Sequence, residues 1–135
     1  MRSWLIICAT ICVVYSGSVL PPVFQSWYNL THPIVEICIN ETGVDADLVR
    51  SLFNKTSIPS EEHLRCLFKC IDDKLGFIRP DGSFNKEVMI AKIARLTPEI
   101  AIECLDKYES EPDGCVKSHE GTLCAMKKIT LLELN

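Results

Sequence analysis

Eight cysteines punctuate the chain, and their placement constrains its fold more than any other feature. Cys8 and Cys12 fall in an N-terminal segment where Arg2 precedes an almost unbroken apolar run, Trp4 to Tyr15. Ser16-Gly17-Ser18 then supplies the small residues that a signal peptidase reads. A run this short is below the roughly 20 residues of a spanning helix, so residues 1–18 are expected to be a signal peptide cleaved before Val19. Cys38, Cys66, Cys70, Cys104, Cys115 and Cys124 remain. An even count in an exported chain predicts a framework of three disulfides.

No later stretch is long or apolar enough to span a bilayer. The expectation is therefore a secreted, extracellular protein with no stable membrane insertion and one domain over 19–135. Bridges stabilise by about 2–5 kcal/mol each, which leaves room for a cavity that an unstapled bundle of this size could hardly support. Removing Arg2 from the 14 basic residues leaves 13 against 18 acidic ones. These charges are interspersed, with no basic patch, which argues against nucleic acid or an anionic membrane as partner.

The hydrophobic periodicity is helical throughout, with five or six short helices and no sheet. Val19 to Ser26, with Pro21-Pro22, reads as an extended lead-in. Thr31 is expected to cap a first helix reaching Asn40, with Pro33 in its first turn. Gly43 ends it, and Asp45 caps a second helix carrying Leu48, Val49, Leu52 and Phe53. Ser60 caps a third running to about Leu75, which Gly76 stops. Arg79-Pro80-Asp81-Gly82-Ser83 is a turn by composition. A fourth helix is expected from Asn85 to Arg95, and Thr97-Pro98-Glu99 opens a fifth reaching about Tyr108. After the loop Glu109 to Gly114, a last helix starts at Cys115 or Thr122 and ends near Leu134.

The third helix carries the widest apolar arc: Leu64, Cys66, Leu67, Phe68, Cys70, Ile71 and Leu75. Only Arg65, Lys69, Asp72 and Asp73 form its polar stripe, which marks it as the hub. His63, Cys66 and Cys70 share a face and could present three zinc ligands. The oxidising compartment and the even cysteine count put disulfides ahead of metal, and no second ligand pair completes a site. A redox role is weaker still, because reactive dithiols sit as C-x-x-C at a helix start. Cysteines at i and i+4 project side by side and suit separate partners, which cuts the fifteen pairings of six cysteines to twelve.

Catalysis finds no support. His32, His63 and His119 are scattered, no hydrolase, metalloprotease, phosphate or calcium motif occurs, and the paired acids Glu61-Glu62 and Asp72-Asp73 read as solvated helix faces. The expectation is a protein that is not an enzyme and needs no cofactor and no metal. Three sequons begin at Asn29, Asn40 and Asn54, each at an expected segment end where a glycan acceptor would be exposed. Leu48, Leu52, Phe53, Leu67, Ile71, Phe77, Met89, Ile93, Ile100, Leu105, Leu123 and Met126 are apolar and could converge. They form either a packed core or the wall of a closed pocket of about 300–1,000 Å³. Composition does not choose between the two.

The pattern Cys38-x27-Cys66-x3-Cys70-x33-Cys104-x10-Cys115-x8-Cys124, behind a signal peptide and all helical, resembles the six-cysteine insect odorant-binding proteins of the pheromone-binding and general odorant-binding type. The x3 and x8 intervals are that family's most distinctive ones. Cys66-Leu67-Phe68-Lys69-Cys70, Leu75-Gly76 and Asp81-Gly82-Ser83-Phe84-Asn85 look like its third helix, turn and fourth-helix start. The likeness covers essentially all of 19–135.

The resemblance implies a compact six-helix domain around an apolar cavity, stapled by Cys38–Cys70, Cys66–Cys115 and Cys104–Cys124. It implies a carrier that solubilises odorants, pheromones, tastants or fatty acids in extracellular fluid for olfaction or taste. Its partners would be that small hydrophobic ligand and a chemosensory receptor, and its state monomer or homodimer. Because members also occur in haemolymph and reproductive fluid, a non-sensory lipid carrier or a secreted protein-interaction module is the alternative. Two features depart from the family pattern: x33 is short, which trims the fourth and fifth helices, and three sequons are unusual. The tail Lys127 to Asn135 either continues the last helix, with Leu131, Leu132 and Leu134 partly buried, or folds over the cavity as a lid.

Overall fold

The computed structural model describes residues 22–53 and 61–133, with the backbone alone at 51–53. The expected signal peptide, the sequon asparagine Asn54, the Ser60 cap, the Leu52 and Phe53 side chains and the last two residues lie outside what is described. Among the described residues six α-helices follow one another: α1 (Pro22–Thr42), α2 (Ala46–Phe53), α3 (Arg65–Leu75), α4 (Lys86–Lys92), α5 (Pro98–Tyr108) and α6 (Gly114–Glu133). A 3₁₀ turn, Glu62–Leu64, leads into α3. Among the described residues the only extended pairing is an isolated bridge between Ile78 and Phe84. The protein is all-α, with three disulfides.

Helix α1 departs most from the sequence reading. There is no lead-in from residue 22 and no restart at Thr31, but one continuous helix with Pro33 inside it. Pro22 takes the first helical position, where a missing N–H costs nothing. Pro33 forfeits one backbone hydrogen bond in the interior, an effect of about 3 kcal/mol in an exposed helix. Burial outweighs it: Val23, Trp27, Val35, Cys38 and Ile39 are buried along one stripe, and the Trp27 indole donates to the Ala94 carbonyl at 3.2 Å. The Thr31 hydroxyl does not cap but donates back to the Trp27 carbonyl at 2.9 Å. Asn29 therefore lies in the middle of a helix, exposed, rather than at a segment end.

The other boundaries follow local chemistry. Gly43, at φ 71°, ends α1, and the Asp45 carboxylate accepts from the Leu48 amide at 2.9 Å to cap α2. Gly76 closes α3 in the left-handed region at φ 76°. Asn85 and Thr97 cap α4 and α5 through side-chain oxygens. Helix α4 stops at Lys92, short of Arg95, because Ile93 turns extended and Arg95 itself adopts φ 69°. Asp113 caps α6, accepting from the Cys115 amide at 2.9 Å, so that helix is a single one from Gly114.

Helix α3 is the hub. It packs on α6 and on α1, and α6 packs in turn on α5. Covalent links repeat that arrangement: Cys38–Cys70 joins α1 to α3, Cys66–Cys115 joins α3 to the start of α6, and Cys104–Cys124 joins α5 to α6. Their Cα–Cα distances are 5.7, 4.5 and 5.5 Å, within the span a disulfide bridges. Both sulfurs of the 66/70 pair are thus consumed in separate bridges, which ends the zinc and redox readings of that face.

Candidate functional site

The apolar interior is built where α3 faces its neighbours. Leu64, Leu67, Phe68, Ile71 and Leu75 repeat at three- and four-residue steps, so one face of α3 and its lead-in turn inward together. Leu67 and Met89 are fully buried, and Ile71, Phe77 and Ile100 join them in one cluster with Leu105. Leu48, Ile93 and Met126 are half-buried and pack on its edge. Leu123 is buried but stands apart from the cluster. Residues not singled out in the sequence complete it: Val23 and Trp27 from α1, Phe84 from the turn, and Ile129 from α6. Phe68 and Leu64 were legible as members of the α3 stripe, whereas Trp27 falls between the expected lead-in, which ends at Ser26, and the expected first helix, which starts at Thr31.

Ile129 is 1% exposed, so the C-terminal segment contributes to the interior through that residue. Leu131 and Leu132, expected to be partly buried, face solvent at 63% and 65% exposure. They sit on the side of α6 turned away from the cluster.

Polar groups enter this interior in two places, one between α3 and α6 and one where the lead-in to α3 also meets α6. Asp72, read as part of a solvated stripe, is buried instead, 2% exposed. It lies one position from Ile71 on the inner face, and the Thr122 hydroxyl donates to it at 3.2 Å. Burial pushes its carboxyl up to about 8, only partly countered by the Thr122 and Ser118 hydroxyls beside it. It is therefore mostly protonated at neutral pH.

The second place is a group of four residues, Glu61, Arg65, His119 and Glu120. His119 is 1% exposed, and its ring meets Phe68 edge-on at 5.2 Å between centroids. Burial lowers its pKa below the usual imidazole range, with Glu120 opposing that shift. The Glu120 carboxylate is 3.5 Å from Nδ1, a Coulombic distance too long for a good hydrogen bond. Among the described residues both ring nitrogens, Arg65 Nε and Glu61 Oε2 are buried without a hydrogen-bond partner.

A third buried polar side chain, Lys117, belongs to the scaffold. Its ammonium donates to the Gly82 carbonyl at 2.6 Å, the Glu109 carbonyl at 2.9 Å and the Glu109 carboxylate at 3.0 Å. That carboxylate also accepts from the Phe84 amide at 3.0 Å. The turn before α4 is thereby fixed to the loop before α6.

On the outer face of α3 the surface has two open hollows of about 340 and 300 Å³. Lys69 and Asp73 line both, with Arg79 and Lys117 in the first and Glu41 and Lys74 in the second. Charged walls offer little to a water-poor molecule. Asn29 and Asn40 are both exposed, and His32 and His63 are surface residues.

No helix among the described residues is long and apolar enough to cross a membrane. Comparison with characterised proteins and with solved structures gives no significant match. The family model of the PBP/GOBP family matches residues 29–128, well over half of the chain. That span holds all six cysteines of the three bridges, from Cys38 to Cys124. With its helical fold, its three disulfides and this match, the chain belongs to the PBP/GOBP family, the six-cysteine insect odorant-binding proteins.

Proposed function

We propose that the protein is a secreted carrier that takes up a small hydrophobic molecule from extracellular fluid and delivers it to a chemosensory receptor. The family match carries this reading, since the family is one of secreted binding proteins, not enzymes. The interior supports it: apolar residues of all six helices form one cluster around α3, and disulfides tie α1, α3, α5 and α6 to one another. A ligand there gains about 25 cal/mol for each Å² of apolar surface removed from water. Leu48, Leu67, Ile71, Phe77, Met89, Ile93, Ile100, Leu123 and Met126, with Leu52 and Phe53, are the proposed wall.

The test is displacement of a fluorescent apolar probe from oxidised protein spanning residues 19–135, using a panel of odorants and fatty acids. Dissociation constants of about micromolar or tighter for some members are expected. Failure of every apolar compound to displace or compete, with helicity and all three bridges intact, would overturn the proposal. It would favour a secreted interaction protein whose interior is only a core.

A further inference from the structure

We infer that His119 is the anchoring point for a ligand hydroxyl, so that the carrier selects aliphatic alcohols over ethers and carboxylic acids of the same length. This rests on the carrier reading above and names the ligand chemistry that would satisfy the site. Three observations support it independently of any titration.

The first is the unpartnered imidazole itself. A side chain 1% exposed, with neither nitrogen hydrogen-bonded to a described residue, leaves a strong acceptor unsatisfied in the interior. Such groups are rare in folded proteins and call for a partner. The second is the tautomer. Glu120 Oε1 lies 3.5 Å from Nδ1 and attracts the ring proton to that side. Nε2 is then a bare lone pair, able to accept from an O–H and unable to donate.

The third is the charge around it. Glu61 and Glu120 are two carboxylates, and Arg65 is one guanidinium, its Nη2 3.7 Å from Glu120 and 3.5 Å from the exposed Glu62. The excess is negative, so a ligand carboxylate arriving beside His119 is repelled. An ether offers no proton to Nε2. An alcohol satisfies both conditions, donating to Nε2 while its chain extends along the edge of Phe68 into the apolar cluster.

Probe displacement with decan-1-ol, its methyl ether and decanoic acid at neutral pH tests this in the wild type, His119→Phe and His119→Gln. In the wild type the alcohol should bind about tenfold tighter than the ether, the worth of one hydrogen bond, and the acid weaker than the alcohol. His119→Phe should bring alcohol and ether to within about twofold of each other, with helicity by circular dichroism and the three intact bridges showing that the variant is folded. His119→Gln, whose side-chain carbonyl still accepts, should keep part of the preference. A ¹⁵N shift of Nε2 on adding decan-1-ol would place the contact. Equal binding of alcohol and ether by the wild type, or a preference undiminished in His119→Phe, would overturn the inference and leave the imidazole to ordered water. Failure of all three compounds to bind the wild type would bring down the carrier reading, whereas binding without preference for the alcohol would overturn this inference alone.

Discussion

Three oxygen atoms converge on the Lys117 ammonium, and the Phe84 ring lies 5.0 Å from it. The lysine is 6% exposed, so none of this is replaced by water when the cation is removed. Lys117→Met keeps the stem volume but leaves the Gly82 carbonyl without its donor and the Glu109 carboxylate with the Phe84 amide in place of a cation. A loss of about 3 kcal/mol of stability is expected, read as a lowered midpoint in urea at unchanged slope. This residue could not be found in the sequence. Lys117, Asp72 and His119 have the same letters as solvated helix residues, and only their neighbours in space, from segments 8 to 50 positions away, reveal the burial. Apolar residues are different, because their spacing along one helix already states which face turns inward. Leu67 and Ile71 were therefore legible where Asp72, beside them, was not.

Helix α6 shows what an element concedes to its neighbours. Gly121 lies in its middle, where glycine is unfavourable by about 1 kcal/mol relative to alanine. A Cβ at that position would stand 2.8 Å from Phe84 Cζ and 3.4 Å from Leu105 Cδ2, both buried. The close approach of α6 to α5 and to the turn bearing Phe84 depends on the missing methyl group. Gly121→Ala is expected to destabilise by about 1–3 kcal/mol despite its better helix propensity, measured by thermal unfolding. The end of α3, the boundaries of α5 and the turn between α3 and α4 were readable because glycine, proline and capping residues mark them locally, whereas α3 begins only at Arg65, after a 3₁₀ turn and without a side-chain cap. Helix α1 was not, because Pro33 marks a break that the long-range burial of Val23 and Trp27 overrides. The same reasoning explains α4, where Arg95 accepts a left-handed conformation that its side chain disfavours, and the helix ends three residues early.

At the scale of the whole molecule, the buried groups Asp72 and His119 act on stability in opposite directions. Asp72 has a folded pKa of about 8 against 3.8 normally. Between these values the folded protein holds a proton that the unfolded chain has released. Its contribution is thus greatest below pH 4 and declines as pH rises toward 8. His119 has a lowered folded pKa against its ordinary 6.5, so its contribution is complete above that value and is lost as pH falls below it. Asp72→Asn preserves the acceptor for Thr122 and removes the first dependence. Denaturant titrations from pH 5 to 8 should show the variant gaining on the wild type by on the order of 1 kcal/mol per pH unit. A parallel pair of curves would mean that the carboxyl titrates normally.

The disulfides have a topological consequence beyond rigidity. The loop closed by residues 38 and 70 overlaps that closed by 66 and 115, which overlaps that closed by 104 and 124. Every peptide bond from Cys38 to Cys124 therefore lies inside at least one closed ring. A protease that cuts once anywhere in that span leaves its two fragments covalently tied. The first nick is therefore survivable, and the chain comes apart only after a second cut or the loss of a bridge.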